Sequence, residues 1–220
     1  MDQPSPRVGE VHLADDVAFA FAGLASMERP ATLALSGGDT ARRCYEVLAS
    51  APGIDWPSTT VLFGDERWVP VDDPDSNEGM ARRALLDRVA PGGVRSMREA
   101  GPSLEEAADA YDRVVEEIGR VDLVHLGLGE DGHTASLFPG SPALEVEDRS
   151  VVATGDDAHP HLRLTFTFPA IARARLAVIT VSGAGKAGAW QRLCQGDDVP
   201  AARVRAERVV WLVDRDVIGG

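Results

Sequence analysis

The sequence predicts an α/β sandwich built on a mostly parallel sheet. Apolar runs of strand length alternate with amphipathic segments of helical spacing along the chain, with no internal repeat or low-complexity tract, which is the pattern of strand–helix–strand units. Four polar or glycine-rich segments follow strand-like runs, after Leu35, Phe63, Leu128 and Val181. Ligands of open α/β sheets collect at that place, beyond the carboxyl ends of the strands. A chain of 220 residues, 44% hydrophobic and 26% charged, has the composition of a globular protein and buries roughly 70% of its unfolded surface. One domain over residues 1–220 is the expectation from length.

The elements follow in order. Val17, Phe21 and Leu24 share one helix face behind Asp15 and Asp16, acidic residues suited to a helix start. Ala31–Leu35 predicts a short buried strand and Thr40–Ser50 a helix with Cys44, Val47 and Leu48 inward. Thr59–Phe63 reads as a strand. Gly64–Asp75, aperiodic and carrying Pro70 and Pro74, reads as a loop. Ser76–Val89 reads as a helix with Met80, Ala84 and Leu85 or Leu86 inward. Ser103-Leu104-Glu105-Glu106 matches the capping box that opens a helix, here to about Ile118. Val121–Leu128 predicts a strand, Gly129–Pro142 a loop, and Arg163–Phe168 a half-buried alternating strand. Leu176–Val181 predicts a buried strand, Lys186–Leu193 a helix and Val209–Val213 a last strand.

Charge and cysteine content exclude several functions. Lys+Arg is 22 against 35 Asp+Glu, a formal charge of −13. Such a surface repels nucleic acid and anionic lipid, so neither is an expected partner. No apolar run reaches the ~18 residues that span a bilayer, and the start MDQPSPRVGE lacks a signal-peptide pattern. Cys44 and Cys194 are the only cysteines, which speaks against a disulfide framework and fits a reducing cytoplasm. An anionic substrate would need local cations and backbone N–H groups to offset the overall charge.

Four segments hold candidate chemistry. Ser36-Gly37-Gly38-Asp39-Thr40 leaves a strand and enters a helix. Its glycines admit a ligand close to the backbone, and the helix start supplies free N–H groups for a phosphate; a plain strand–helix turn capped by Thr40 is the alternative. Asp65-Glu66-Arg67 follows a buried strand. Arg67 could grip an oxyanion with its planar fork or sit in a surface ion pair. Gly127–Pro139 places Asp131 two residues before His133 in a glycine-loosened loop. A neutral His is a general base near pH 7, and an adjacent Asp can orient it; the alternative is a His that only bonds loop backbone. Ser182-Gly183-Ala184-Gly185-Lys186 ends on the chain's sole lysine, a point charge for a phosphate or an ordinary surface residue. His12, His125, His159 and His161 have neither H-x-x-x-H spacing nor cysteine companions, so no zinc site or other metal is expected. His125 reads as a satisfied core residue, and His159-Pro160-His161 as a solvated loop.

Taken together, these segments resemble the 6-phosphogluconolactonase family. S-G-G-D-T at Ser36–Thr40, D-E-R-W-V-P at Asp65–Pro70 with Ser76-Asn77, and G-L-G-E-D-G-H-T-A-S-L-F-P at Gly127–Pro139 are similar to its motifs. Arg163-Leu164-Thr165, Ile171, Gly183–Lys186 and Pro200–Val204 follow in order, and the match runs from about Ser36 to Val213. Ala41 departs from the family's usual proline after the threonine, a loss of rigidity rather than of a donor. The resemblance implies a three-layer α/β sandwich with a mostly parallel, Rossmann-like sheet, shared with glucosamine-6-phosphate deaminase. It implies hydrolysis of 6-phospho-D-glucono-1,5-lactone in the pentose phosphate pathway, with no cofactor or metal.

Carried over, His133 is the base that activates water, Asp131 its neighbour, and Asp65 and Arg67 line the pocket. Ser36, Gly37, Gly38, Thr40 and Lys186 surround the substrate, chiefly its phosphate. The nucleophile elbow G-x-S-x-G is missing from the sequence, so direct attack by water is expected. Two other readings compete. A deaminase of this fold would resemble D-E-Y and I-A-F-N-E-P where this chain has D-E-R and T-A-S-L-F-P. A sugar-phosphate sensor joined to a DNA-binding domain would need a basic recognition helix, which the residues before Ser36 lack. Monomer and small homo-oligomer both remain open.

Overall fold

A computed structural model describes residues 5–155 and 160–219. The chain runs β1 (Glu10–Ala14), α1 (Val17–Glu28), β2 (Thr32–Leu35), α2 (Gly38–Leu48), β3 (Thr60–Phe63), β4 (Asp65–Arg67) and α3 (Asn77–Ala81). A π-helical turn over Arg82–Leu86 leads to α4 (Asp87–Val89), then β5 (Gly93–Val94), α5 (Leu104–Ile118), β6 (Leu123–Gly127) and β7 (Val151–Thr154). Next come β8 (Arg163–Phe166), α6 (Phe168–Ala172), β9 (Leu176–Val181), α7 (Ala187–Gln195), β10 (Arg208–Asp214) and α8 (Arg215–Ile218).

The central sheet has seven strands in the order β1-β10-β9-β6-β2-β3-β5, all pairs parallel. Its middle strands are apolar on both faces. β9 is buried at every position, as expected of a strand covered on both sides. Helices α1 and α2 pack on each other and onto β9, burying Phe21 and Tyr45. Among the described residues no helix is long and apolar enough to cross a membrane.

The structure corrects the sequence reading in six places. β1, which the sequence reading passed over, is an edge strand with no buried position; its one short alternation, Val11 and Leu13, is only partly covered. β5 is only two residues long. Gly64–Asp75 is not all loop, because β4 forms within it. β4 joins β8 and the unforeseen β7 in an antiparallel sheet, order β4-β8-β7. β8 is buried throughout rather than half-buried, since this small sheet is itself covered: α5 lies along β7. Helix α2 also starts earlier than predicted, with Gly37 rather than Thr40 as its N-cap.

Candidate active site

Adjacent strands β9, β6, β2 and β3 each end in one of the four segments singled out above. Their carboxyl ends surround a cavity of about 650 Å³. Ser36, Gly37, Gly38, Thr40, Asp65, Arg67, Asp131, His133 and Lys186 all line it. Asn77, Arg163 and Thr180 line it too, although the sequence reading gave them no role.

The turn after β2 requires its glycines. Gly38 has φ +90°, in the region that favours glycine. A Cβ on Gly37 would fall 1.9 Å from Oδ1 of Asn77. Helix α2 therefore opens directly onto the cavity with N–H groups that no side chain caps.

The turn after β3 is held by Glu66, which is 1% exposed. One carboxylate oxygen accepts from the N–H groups of Arg67 and Asn77, each at 2.7 Å. The other accepts from Ser76 Oγ at 2.9 Å and Glu78 N–H at 2.7 Å. Glu66 thus sits at the start of α3, where the helix dipole favours negative charge. Burial pushes its carboxyl above the usual range, against the pull of these donors. Asn77, fixed this way, donates from Nδ2 to the Asp65 carbonyl at 2.9 Å.

Pairing of β4 with β8 sets Arg67 opposite Arg163 and Asp65 opposite Thr165. The Nε atoms of both arginines are buried without a hydrogen-bond partner among the described residues. Burial lowers the Arg163 pKa, Asp65 opposes that shift and the neighbouring Arg67 adds to it. Ser136 donates to the Asp65 carboxylate at 2.7 Å, tying the small sheet to the loop after β6.

That loop carries His133, whose Nδ1 stands 2.6 Å from Asp131 Oδ1. The same oxygen accepts from the His133 backbone N–H at 3.1 Å. Burial favours the neutral Asp131, but the bonds and charge of His133 outweigh it and hold the carboxyl below its ordinary value. The imidazole leans on Phe138, ring centroids 4.6 Å apart. The turn after β9 is anchored by Asp214, which accepts from Ser182 Oγ at 2.5 Å and Gly183 N–H at 2.8 Å. Lys186 follows on the cavity wall.

His12 is exposed beside Glu10, and His161 bonds Asp75 at 2.9 Å rather than lying free in solvent. His159 lies outside the described residues. His125 is fully buried with partners on both nitrogens.

The cavity brings together a carboxylate–imidazole pair, two arginines, a lysine and an open helix start. Such a set can bind an anion and move a proton beside it.

A 6-phosphogluconolactonase from Synechocystis sp. is 41% identical over 199 residues, covering 84% of this chain and 82% of the relative. The crystal structure of a 6-phosphogluconolactonase from Shewanella baltica superposes with TM-score 0.81 at 25% identity, over 97% of this chain and 99% of that one. A monomeric glucosamine-6-phosphate deaminase superposes equally well, TM-score 0.81, but at 20% identity over 96% of this chain and 99% of that one, a likeness of fold alone. The family described as glucosamine-6-phosphate isomerases/6-phosphogluconolactonase matches residues 8–211, and the chain belongs to that family.

Proposed function

We propose that this chain is a 6-phosphogluconolactonase. It opens 6-phospho-D-glucono-1,5-lactone to 6-phosphogluconate in the oxidative pentose phosphate pathway, with His133 as the base. The observation that carries this reading is the His133–Asp131 pair at 2.6 Å on the wall of a cavity that also holds Lys186, Arg67 and Arg163.

The substrate's phosphate sits at the open start of α2, near Ser36, Gly37, Gly38 and Thr40, with Lys186 as counter-charge. Asp131 accepts the Nδ1 proton of His133, which puts the basic lone pair on Nε2. Nε2 takes a proton from water as the water oxygen bonds to the lactone carbonyl carbon. Negative charge collects on the former carbonyl oxygen, which Arg67 and Arg163 stabilise, with Asp65 as a counter-charge to Arg163. The tetrahedral centre then expels the ring oxygen, and the imidazolium returns the proton to it. Base assistance is worth ~10²–10⁴-fold and aligned donors at the oxyanion ~10²–10³-fold.

Freshly prepared lactone, assayed by coupled detection of 6-phosphogluconate and corrected for spontaneous opening, tests the reading. Loss of lactone well above background is expected, with His133→Ala folded but close to background. Release of ammonia from glucosamine 6-phosphate without lactone turnover would replace this reading by the deaminase one, which the shared fold supports.

A further inference from the structure

His125 takes no part in the chemistry above, yet it lies next to the same cavity. It is fully buried in β6 and stacked on Phe21, ring centroids 4.0 Å apart. The other buried positions of this central strand are Leu123, Val124 and Leu126, and an imidazole among them loses hydration that a leucine never had.

Its two nitrogens reach different walls. Nδ1 is 2.9 Å from Tyr45 Oη, and Tyr45 Oη accepts from the Ser36 backbone N–H at 2.6 Å. Nε2 is 3.0 Å from Thr180 Oγ1. Ser36 and Thr180 both line the cavity. Burial lowers the pKa of the ring to about 3, so it is neutral in working conditions, with one donor nitrogen and one acceptor. The Thr180 hydroxyl points at the Leu126 carbonyl, 3.4 Å away, which makes Thr180 Oγ1 the acceptor from Nε2–H. Nδ1 is then the acceptor from the Tyr45 hydroxyl at 2.9 Å, the nearer of its two acceptors, the Ser36 carbonyl lying 3.2 Å away. The result is one directed chain, from the Ser36 N–H through Tyr45 and His125 to Thr180, with every member satisfied.

We propose that His125 is a positioning residue for the substrate cavity: its two nitrogens hold the Ser36 backbone, by way of Tyr45, and the Thr180 hydroxyl in fixed relation across β2, β6 and β9. The inference rests on the assignment of this cavity to the substrate.

His125→Phe keeps a ring against Phe21 and removes both hydrogen bonds. KM is expected to rise about tenfold, the scale of the buried hydrogen bonds lost, with kcat within about threefold because the His133–Asp131 pair is untouched. Tyr45→Phe and Thr180→Val cut one arm each and decide the matter if His125→Phe does not fold; each should raise KM with kcat retained. Unchanged KM in the folded variants would overturn the proposal. So would KM and kcat that merely follow the folded fraction seen in thermal melts. Lys186→Ala is measured alongside. If it raises KM while the His125, Tyr45 and Thr180 variants do not, only the positioning role fails. If it too leaves KM unchanged, the cavity assignment fails and this inference with it.

Discussion

Gly129 and His133 are so close that a Cβ on the glycine would fall 2.1 Å from Nδ1 of the imidazole. The same Cβ would come within 2.7 Å of Asp131 Oδ1, so the geometry of the Asp131–His133 hydrogen bond depends on a missing side chain. Gly129→Ala should therefore leave the sheet intact and displace the imidazole. A shift of about 1 Å costs on the order of 10²-fold in rate. Initial rates with fresh lactone, beside far-ultraviolet circular dichroism, check this; a folded variant with wild-type kcat would disprove it.

Asp131 gives a pH-dependent stability. Its folded-state pKa is lowered, so the unfolded chain holds the proton more tightly. The stabilisation is full above the ordinary aspartate range and is lost as pH falls through the lowered value. Asp131→Asn lacks this term. The melting-temperature gap between the two proteins should be widest above the ordinary aspartate range and close as pH falls through the lowered value. A gap that stays constant from neutral to acid pH would contradict the pairing.

Glu66→Gln tests the brace behind Arg67. Each carboxylate oxygen accepts from a pair of donors, so an amide NH₂ would face two of them. Each buried donor left without an acceptor costs about 1–3 kcal/mol. A clear loss of stability in denaturant titration is expected, along with a raised KM as Asn77 and Arg67 loosen.

Lys186→Ala should raise KM by about 10–100-fold, the range for a charge-assisted hydrogen bond, and leave kcat nearly constant. Phosphate contacts hold substrate and transition state alike. A fall in kcat at constant KM would move Lys186 from binding to chemistry.

Much of this arrangement was legible in the sequence, because glycine-rich turns after apolar runs mark strand ends. The turns at Ser36, Asp65, Asp131 and Lys186 were all visible, and the sheet order then places them side by side. Arg163 was legible as part of a motif but not as a cavity residue. Its place depends on a pairing of β4 with β8 that no local pattern encodes. β4 is three charged residues, and their burial comes from partners distant in sequence. Glu66 hid for a related reason: four donors from two segments make a buried carboxylate tolerable, and those donors come together only in three dimensions. His125 was correctly read as satisfied, but its two partners lie on β9 and α2, beyond the reach of spacing rules.

The parallel pairing of β1 with β10 joins the first described strand to the last described one. During synthesis β1 has no neighbour until residues 208–214 have left the ribosome. Until then the edge of β9 that β10 will cover also stands open to other chains. Truncation just before residue 208 should therefore favour aggregation over a shortened but soluble product.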